Sequence, residues 1–170
     1  MRSPLESPVY VTNSKAVYLL PPSDMGFPID APQMIEGAYG GKKFSFEGWT
    51  VANDSIISIS LFNSIGASIG SLFYSKDSLR FESSFIDVDK IHPQYIVADF
   101  QLCYYKKDAL QKIFSSKGFF FSEDSSLGII HRVVLSQKDT IVSVVRSRDS
   151  TVLKNYLRGY EYRIHYREEN

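Results

Sequence analysis

Cysteine is nearly absent: Cys103 is the only one in 170 residues. No intramolecular disulfide can form, and a structural metal site built on several cysteines is excluded. Its neighbours Leu102, Tyr104 and Tyr105 mark it as a small buried hydrophobe. A lone free thiol fits the cytoplasm slightly better than an oxidising compartment. Histidine is scarce too. His92, His131 and His165 are far apart with no H-x-x-x-H pairing, so each is expected to be packed or on the surface and not a metal ligand. Net charge is also missing, because 19 basic side chains face 19 acidic ones. A nucleic-acid partner normally demands a basic footprint, so none is expected. No apolar run reaches the 18 or so residues of a membrane-spanning helix.

The start, Met1-Arg2-Ser3-Pro4-Leu5-Glu6-Ser7-Pro8, lacks the apolar centre of an export signal. Two readings follow. The protein is cytoplasmic, or this is a mature body whose export segment has been removed. The two prolines and polar remainder resemble a tether, which favours the second. Residues 1–15 are therefore expected to form a flexible lead to one domain over 16–168, a normal size for a single core.

Aromatic residues are plentiful, with 12 Phe and 11 Tyr, and these suit pleated, half-buried surfaces. Four prolines between 21 and 33 (Pro21, Pro22, Pro28, Pro32) suggest an irregular wrap. Period-two alternation then begins. Phe44 and Phe46 alternate with Ser45 and Glu47; Ile57, Ile59 and Leu61 with Ser58 and Ser60; Leu79, Phe81, Ser83 and Phe85 with Arg80, Glu82 and Ser84. Gly40-Gly41, Asn53-Asp54, Asn63-Ser64 and Lys76-Asp77 mark the turns of an antiparallel meander.

The middle changes period. Ile96, Phe100 and Cys103, with Tyr95, Ala98 and Leu102, recur at helical spacing after Pro93, although Ile96, Ala98, Phe100, Leu102 and Tyr104 also alternate as a strand would. Helix is the favoured reading and strand the alternative. Ala109, Leu110, Ile113 and Phe114 form a second helical stripe ended by Gly118. Strands resume at 119–121, 129–135, 141–145 and 152–157. They close with Tyr160, Tyr162, Ile164 and Tyr166 on one face and Glu161, Arg163, His165 and Arg167 on the other. The expected fold is mainly β (α+β): one antiparallel sheet of about nine or ten strands, curved to protect its edges, with two short helices over the concave face.

Few motifs carry chemistry. Gly66-Ala67-Ser68-Ile69-Gly70 matches the serine elbow of hydrolases, and Asp99 and His131 follow in the right chain order. The strand-like Ser71-Leu72-Phe73-Tyr74 that follows favours a hairpin turn instead, so a serine hydrolase using Ser68 is a minor alternative. Asp87-Val88-Asp89 lacks the other oxygens of a calcium loop and reads as the entry to the helix. Gly37-Ala38-Tyr39-Gly40-Gly41 is neither a phosphate loop nor a dinucleotide fingerprint, so no cofactor is expected. Asn53-Asp54-Ser55 is a formal sequon better explained by a turn. Arg132, Arg146, Arg148, Arg158, Arg163 and Arg167 make the last forty residues mildly basic; solvated strand faces are the plain reading, attraction to anionic lipid headgroups the sharper one. Asp99 and Gln101 interrupt an apolar segment, either to hold backbone hydrogen bonds or to recognise a cargo.

The stretch Pro93-x-Tyr95-Ile96-Val97-Ala98-Asp99-Phe100-Gln101-Leu102 resembles the signature of a family of uncharacterised bacterial lipoproteins in the LolA/LolB-like superfamily of lipoprotein-localisation factors. Gly159-Tyr160-Glu161-Tyr162-Arg163-Ile164, Leu20-Pro21-Pro22 and the turn at Gly66 are similar to it as well, so the likeness spans most of 16–166. It implies an open half-barrel with helices over its mouth, an acyl or lipid cargo inside, and a place on the periplasmic side of the outer membrane. It also implies an N-terminal lipid anchor, whose cysteine this chain lacks, and a trafficking partner protein. An exposed loop leucine that inserts into the membrane would be replaced here by Ile65. The cavity wall is expected from Phe44, Phe46, Ile57, Ile59, Leu61, Leu79, Phe81, Tyr160, Tyr162 and Ile164, with Ile96 and Phe100 as the lid. Such a site needs no catalytic group: fourteen buried methylenes give about 11 kcal/mol gross. The alternative reading is a structural or interaction lipoprotein whose interior is simply filled.

Overall fold

The computed structural model describes residues 3–83 and 92–166. Seven strands come first: β1 Pro8–Tyr10, β2 Ala16–Tyr18, β3 Ile29–Tyr39, β4 Lys42–Ala52, β5 Ile57–Phe62, β6 Ser68–Tyr74 and β7 Leu79–Ser83, of which β4, β5 and β7 are the alternating segments. Two helices follow, α1 Pro93–Tyr104 and α2 Lys107–Ser116. Then come β8 Phe120–Ser126, β9 Ile129–Ser136, β10 Asp139–Arg146, β11 Ser150–Asn155 and β12 Tyr160–Tyr166. Strands β3 to β12 form one ten-stranded antiparallel sheet in the order β7-β6-β5-β4-β3-β12-β11-β10-β9-β8, which is not closed into a barrel. The expected reading of Phe85 and of Asp87 to Asp89 falls outside the described residues, as does Arg167.

Three sequence expectations change. The proline-rich 21–33 is not all irregular: after a 3-10 turn at Pro22–Asp24, β3 starts at Ile29 and pairs β4 on one side and β12 on the other. Within β3, Pro32 lies opposite Trp49 on β4. Within the segment expected to be a lead, β1 pairs β2 and Val9 is buried in the core. The third change concerns the arginines, below.

α1 is a helix and not a strand. Pro93 opens its first turn, and the Tyr105 N–H closes its end on the Gln101 carbonyl. Its mixed periodicity has a cause. Val97, Phe100, Gln101, Leu102, Cys103 and Tyr104 are all buried, and a helix packed on several sides loses a single apolar stripe. One side meets the sheet; another meets the N-terminal segment, where the Gln101 carboxamide bonds both the N–H and the carbonyl of Leu20.

The C-terminal end of α1 is fastened to the sheet by two arginines that alternate inward. Arg132 on β9 is 3% exposed, so neither a solvated face nor lipid headgroups is its setting. Its Nε donates to Glu123 Oε1 at 2.7 Å, Nη1 to the Leu102 carbonyl at 2.8 Å and Nη2 to the Tyr105 carbonyl at 2.6 Å. Arg146 on β10 donates to the Cys103 carbonyl at 2.6 Å and lies over the rings of Phe27 and Tyr104. The last carbonyls of a helix have no partner of their own, and cations there also suit the helix dipole. Arg148, Arg158 and Arg163 keep appreciable exposure.

Arg132→Ala is expected to lower the free energy of unfolding by about 2–4 kcal/mol, because the Leu102 and Tyr105 carbonyls would lose their donor and the half-buried Glu123 its charge partner. Arg132→Lys should recover only part, since an ammonium cannot reproduce the guanidinium fork. Denaturant melts of the two variants beside the parent check both.

Candidate functional site

The antiparallel connections put the turns β3–β4, β5–β6, β9–β10 and β11–β12 at one end of the sheet and the remaining hairpins at the other. The interior differs between these ends. Towards the β4–β5 and β6–β7 turns it is packed: Ala52, Ile57, Tyr74, Val97 and Tyr105 are each at most 1% exposed, and Tyr74 donates to the Leu20 carbonyl. Towards the β3–β4 turn it is hollow. A cavity of about 380 Å³ opens there, within the range of small-molecule sites.

Strand positions on the inner face supply its wall: Ile35, Phe44 and Phe46, Ile59 and Leu61, Leu72, Phe81, and Tyr162 and Ile164. α1 supplies Ile96, Asp99, Phe100 and Cys103, one helical stripe at spacings of three and four. A close approach shapes one corner. The Phe44 ring lies over Gly37 on the neighbouring strand, and a Cβ at Gly37 would overlap it.

Nine of the expected apolar residues thus line the cavity: Phe44, Phe46, Ile59, Leu61, Phe81, Ile96, Phe100, Tyr162 and Ile164. Ile57, Leu79 and Tyr160 do not. Ile57 is fully buried in the packed half, Leu79 packs beside the core, and Tyr160 lines a surface groove at the β3–β4 and β11–β12 turns. Ile35, Leu72 and Cys103 were not expected. Cys103 shares the helical stripe of Ile96 and Phe100, and Leu72 lies two residues past Gly70, so both carried a periodic signal. Ile35 was hidden by the prolines before it.

The polar positions differ in use. Gln101 is spent on Leu20. Asp99 faces the cavity, and its Oδ2 accepts a hydrogen bond from the Tyr160 hydroxyl at 2.8 Å. Burial pushes the Asp99 carboxyl up to about 7, against the opposing pull of the Tyr160 hydrogen bond. Burial likewise raises Tyr160, Tyr162 and the Cys103 thiol above their ordinary values, so that thiol is a poor nucleophile. Ser68 opens strand β6 after a hairpin turn at Gly66 (φ 82°), with the Asn63 carboxamide accepting from the Ile65 and Ala67 N–H groups. No helix follows, so the strand-to-helix elbow is absent. His131 lies exposed on β9 and Asp99 is engaged by Tyr160. Asn53 accepts from the Ser55 and Ile56 N–H groups, as a turn requires. Ile65 is 87% exposed at its turn, and Leu127 is 99% exposed at φ 53° in the β8–β9 turn, at the opposite end of the sheet. Among the described residues no helix is long and apolar enough to cross a membrane.

Asp99 makes stability depend on pH. Its folded value of about 7 exceeds the ordinary 3.8, so the folded chain holds a proton that the unfolded chain has released. Stability is therefore complete below about pH 4 and falls as pH rises towards 7. Asp99→Asn removes this dependence. The variant is expected to gain on the parent progressively between about pH 4 and 7, by at most about 4 kcal/mol, in melts run across that range.

A family described as "Protein of unknown function (DUF3261)" matches residues 30–168, which includes every residue of the cavity wall. No curated protein matches the chain.

Proposed function

The chain belongs to the DUF3261 family, and for it we propose non-catalytic binding of a lipid, an acyl chain or another apolar cargo in the cavity between the sheet and α1. One observation carries this reading. Among the described residues, the cavity wall is aliphatic and aromatic apart from Cys103 and Asp99, and Asp99 is its one carboxyl. An apolar hollow that no side chain fills costs stability, and apolar surface from a cargo would offset that cost. The affinity needed is available from the chain alone, after several kcal/mol of association and ordering costs.

On this reading the sheet is an open half-barrel with the helices over its concave face, as in the LolA/LolB-like carriers that the sequence resembles. The same likeness supports a setting on the periplasmic side of the bacterial outer membrane, in lipid or lipoprotein trafficking, with an N-terminal lipid anchor and a partner protein. Surface features at the hollow end fit such a setting. The exposed Ile65 shares that end with Tyr39 and Tyr156 and with the basic Lys42, Lys43 and Lys154, a combination suited to an anionic membrane surface.

Two measurements test the reading. Native mass spectrometry of freshly purified protein should show added mass from bound lipid, lost in Ile59→Trp and Leu61→Trp, whose rings occupy the hollow, while their melting stays near that of the parent. Parent protein that takes up no lipid under any loading condition would overturn it. Ile65→Asp is expected to weaken binding to anionic vesicles by about tenfold or more in cosedimentation, the loss of one buried aliphatic side chain.

A further inference from the structure

Among the described residues the cavity wall offers one carboxyl, Asp99, and its orientation is fixed. The Asn155 side-chain oxygen accepts from the Arg158 N–H at 2.8 Å, which turns the Asn155 amide towards the Tyr160 hydroxyl oxygen at 3.4 Å. Tyr160 therefore accepts from Asn155 and gives its own proton to Asp99 Oδ2 at 2.8 Å. The other oxygen, Asp99 Oδ1, has no hydrogen-bond partner among the described residues. Oδ2 is occupied as an acceptor, so Oδ1 is the atom that carries the proton when the carboxyl is neutral.

Among the described residues the surroundings do not supply a counter-charge. Strands β3 to β7 present only aliphatic and phenylalanine side chains to this cavity. β12 brings Tyr160 and Tyr162, β11 brings Asn155, and α1 itself adds Cys103 one turn along. Arg132 and Arg146 are turned to the terminal carbonyls of α1. A carboxyl placed in an apolar hollow without a cation, with one oxygen held and one open, is an acceptor waiting for a donor.

Resting on the cargo-binding reading above, we propose that the cavity selects a single-chain amphiphile whose polar end is an uncharged or cationic hydrogen-bond donor, a hydroxyl, amide or amine, seated on Asp99 Oδ1. Free carboxylates and phosphates are rejected when Asp99 is ionised, because two like charges would meet without water between them. Below that ionisation Oδ1 becomes a donor and the discrimination relaxes. The volume, at the small end for ligand sites, suits one chain.

Displacement of a neutral naphthylamine probe by decanol, decylamine and decanoate, each below its micelle concentration, tests this. At pH 8 decanol and decylamine are expected to bind about tenfold or more tighter than decanoate, the scale of one hydrogen bond to a charged group. The gap should shrink at pH 5.5. In Asp99→Asn it should fall to within about threefold at both pH values, a change of the order of one hydrogen bond. Equal or tighter binding of decanoate to the parent at pH 8 overturns the proposal, as does a gap that survives in Asp99→Asn. Uptake of all three ligands without discrimination refutes the selectivity and leaves the cargo site standing. Uptake of none refutes both. The pH series on the parent chain decides the matter even if the variant fails to fold.

Discussion

The placement of α1 depends on a guanidinium. Arg132 is buried between β9 and the end of the helix, and its three donating nitrogens are all used, one on Glu123 and two on main-chain carbonyls. Burial of this charge is tolerable only because each polar contact is made. Arg146 adds a third carbonyl of the same helix end. Together they hold α1 at a fixed height above the sheet. That height decides whether Ile96, Asp99 and Phe100 line a hollow or fill it.

The interior is accordingly of two kinds. In one half, Tyr74, Tyr104 and Tyr105 occupy the space, with hydroxyls bonded where partners exist: Tyr74 to Leu20, and Tyr104 in a chain with Thr151 and Tyr166. The N-terminal segment belongs to this half, because Leu20 is the shared partner of Tyr74 and Gln101. In the other half the strands bring Phe, Ile and Leu to a space that the helix does not enter. The packed half anchors the helix, and Asp99 faces the hollow half.

Much of this was legible in the residues. Period-two alternation gave β4, β5, β7 and β12 with their inward faces, and so named most of the cavity wall. What it could not give was depth. Ile57 and Ile59 alternate alike, yet one is sealed in the packed half and the other borders the hollow, because that depends on how far along the strand α1 and Leu20 reach. Tyr160 illustrates the same limit: its ring packs against Tyr162 beside the cavity without lining it, while its hydroxyl reaches Asp99. β3 was obscured by Pro28 and Pro32, which read as strand breakers although the strand starts just after the first and takes in the second. Arg132 was unreadable for another reason. Its partners Leu102 and Tyr105 are main-chain atoms some thirty positions away, and no side-chain pattern records a bond to a carbonyl.

The two outermost strands, β7 and β8, share no ladder with each other. The chain between them passes through both helices, with α1 touching β7 and α2 touching β8. Each of these strands is paired on one side only, and the unpaired groups of an edge strand are a template for a strand of another molecule. A helix set beside each edge stands in the way of such growth, so the same two helices that follow β7 and precede β8 also guard the sheet against extension.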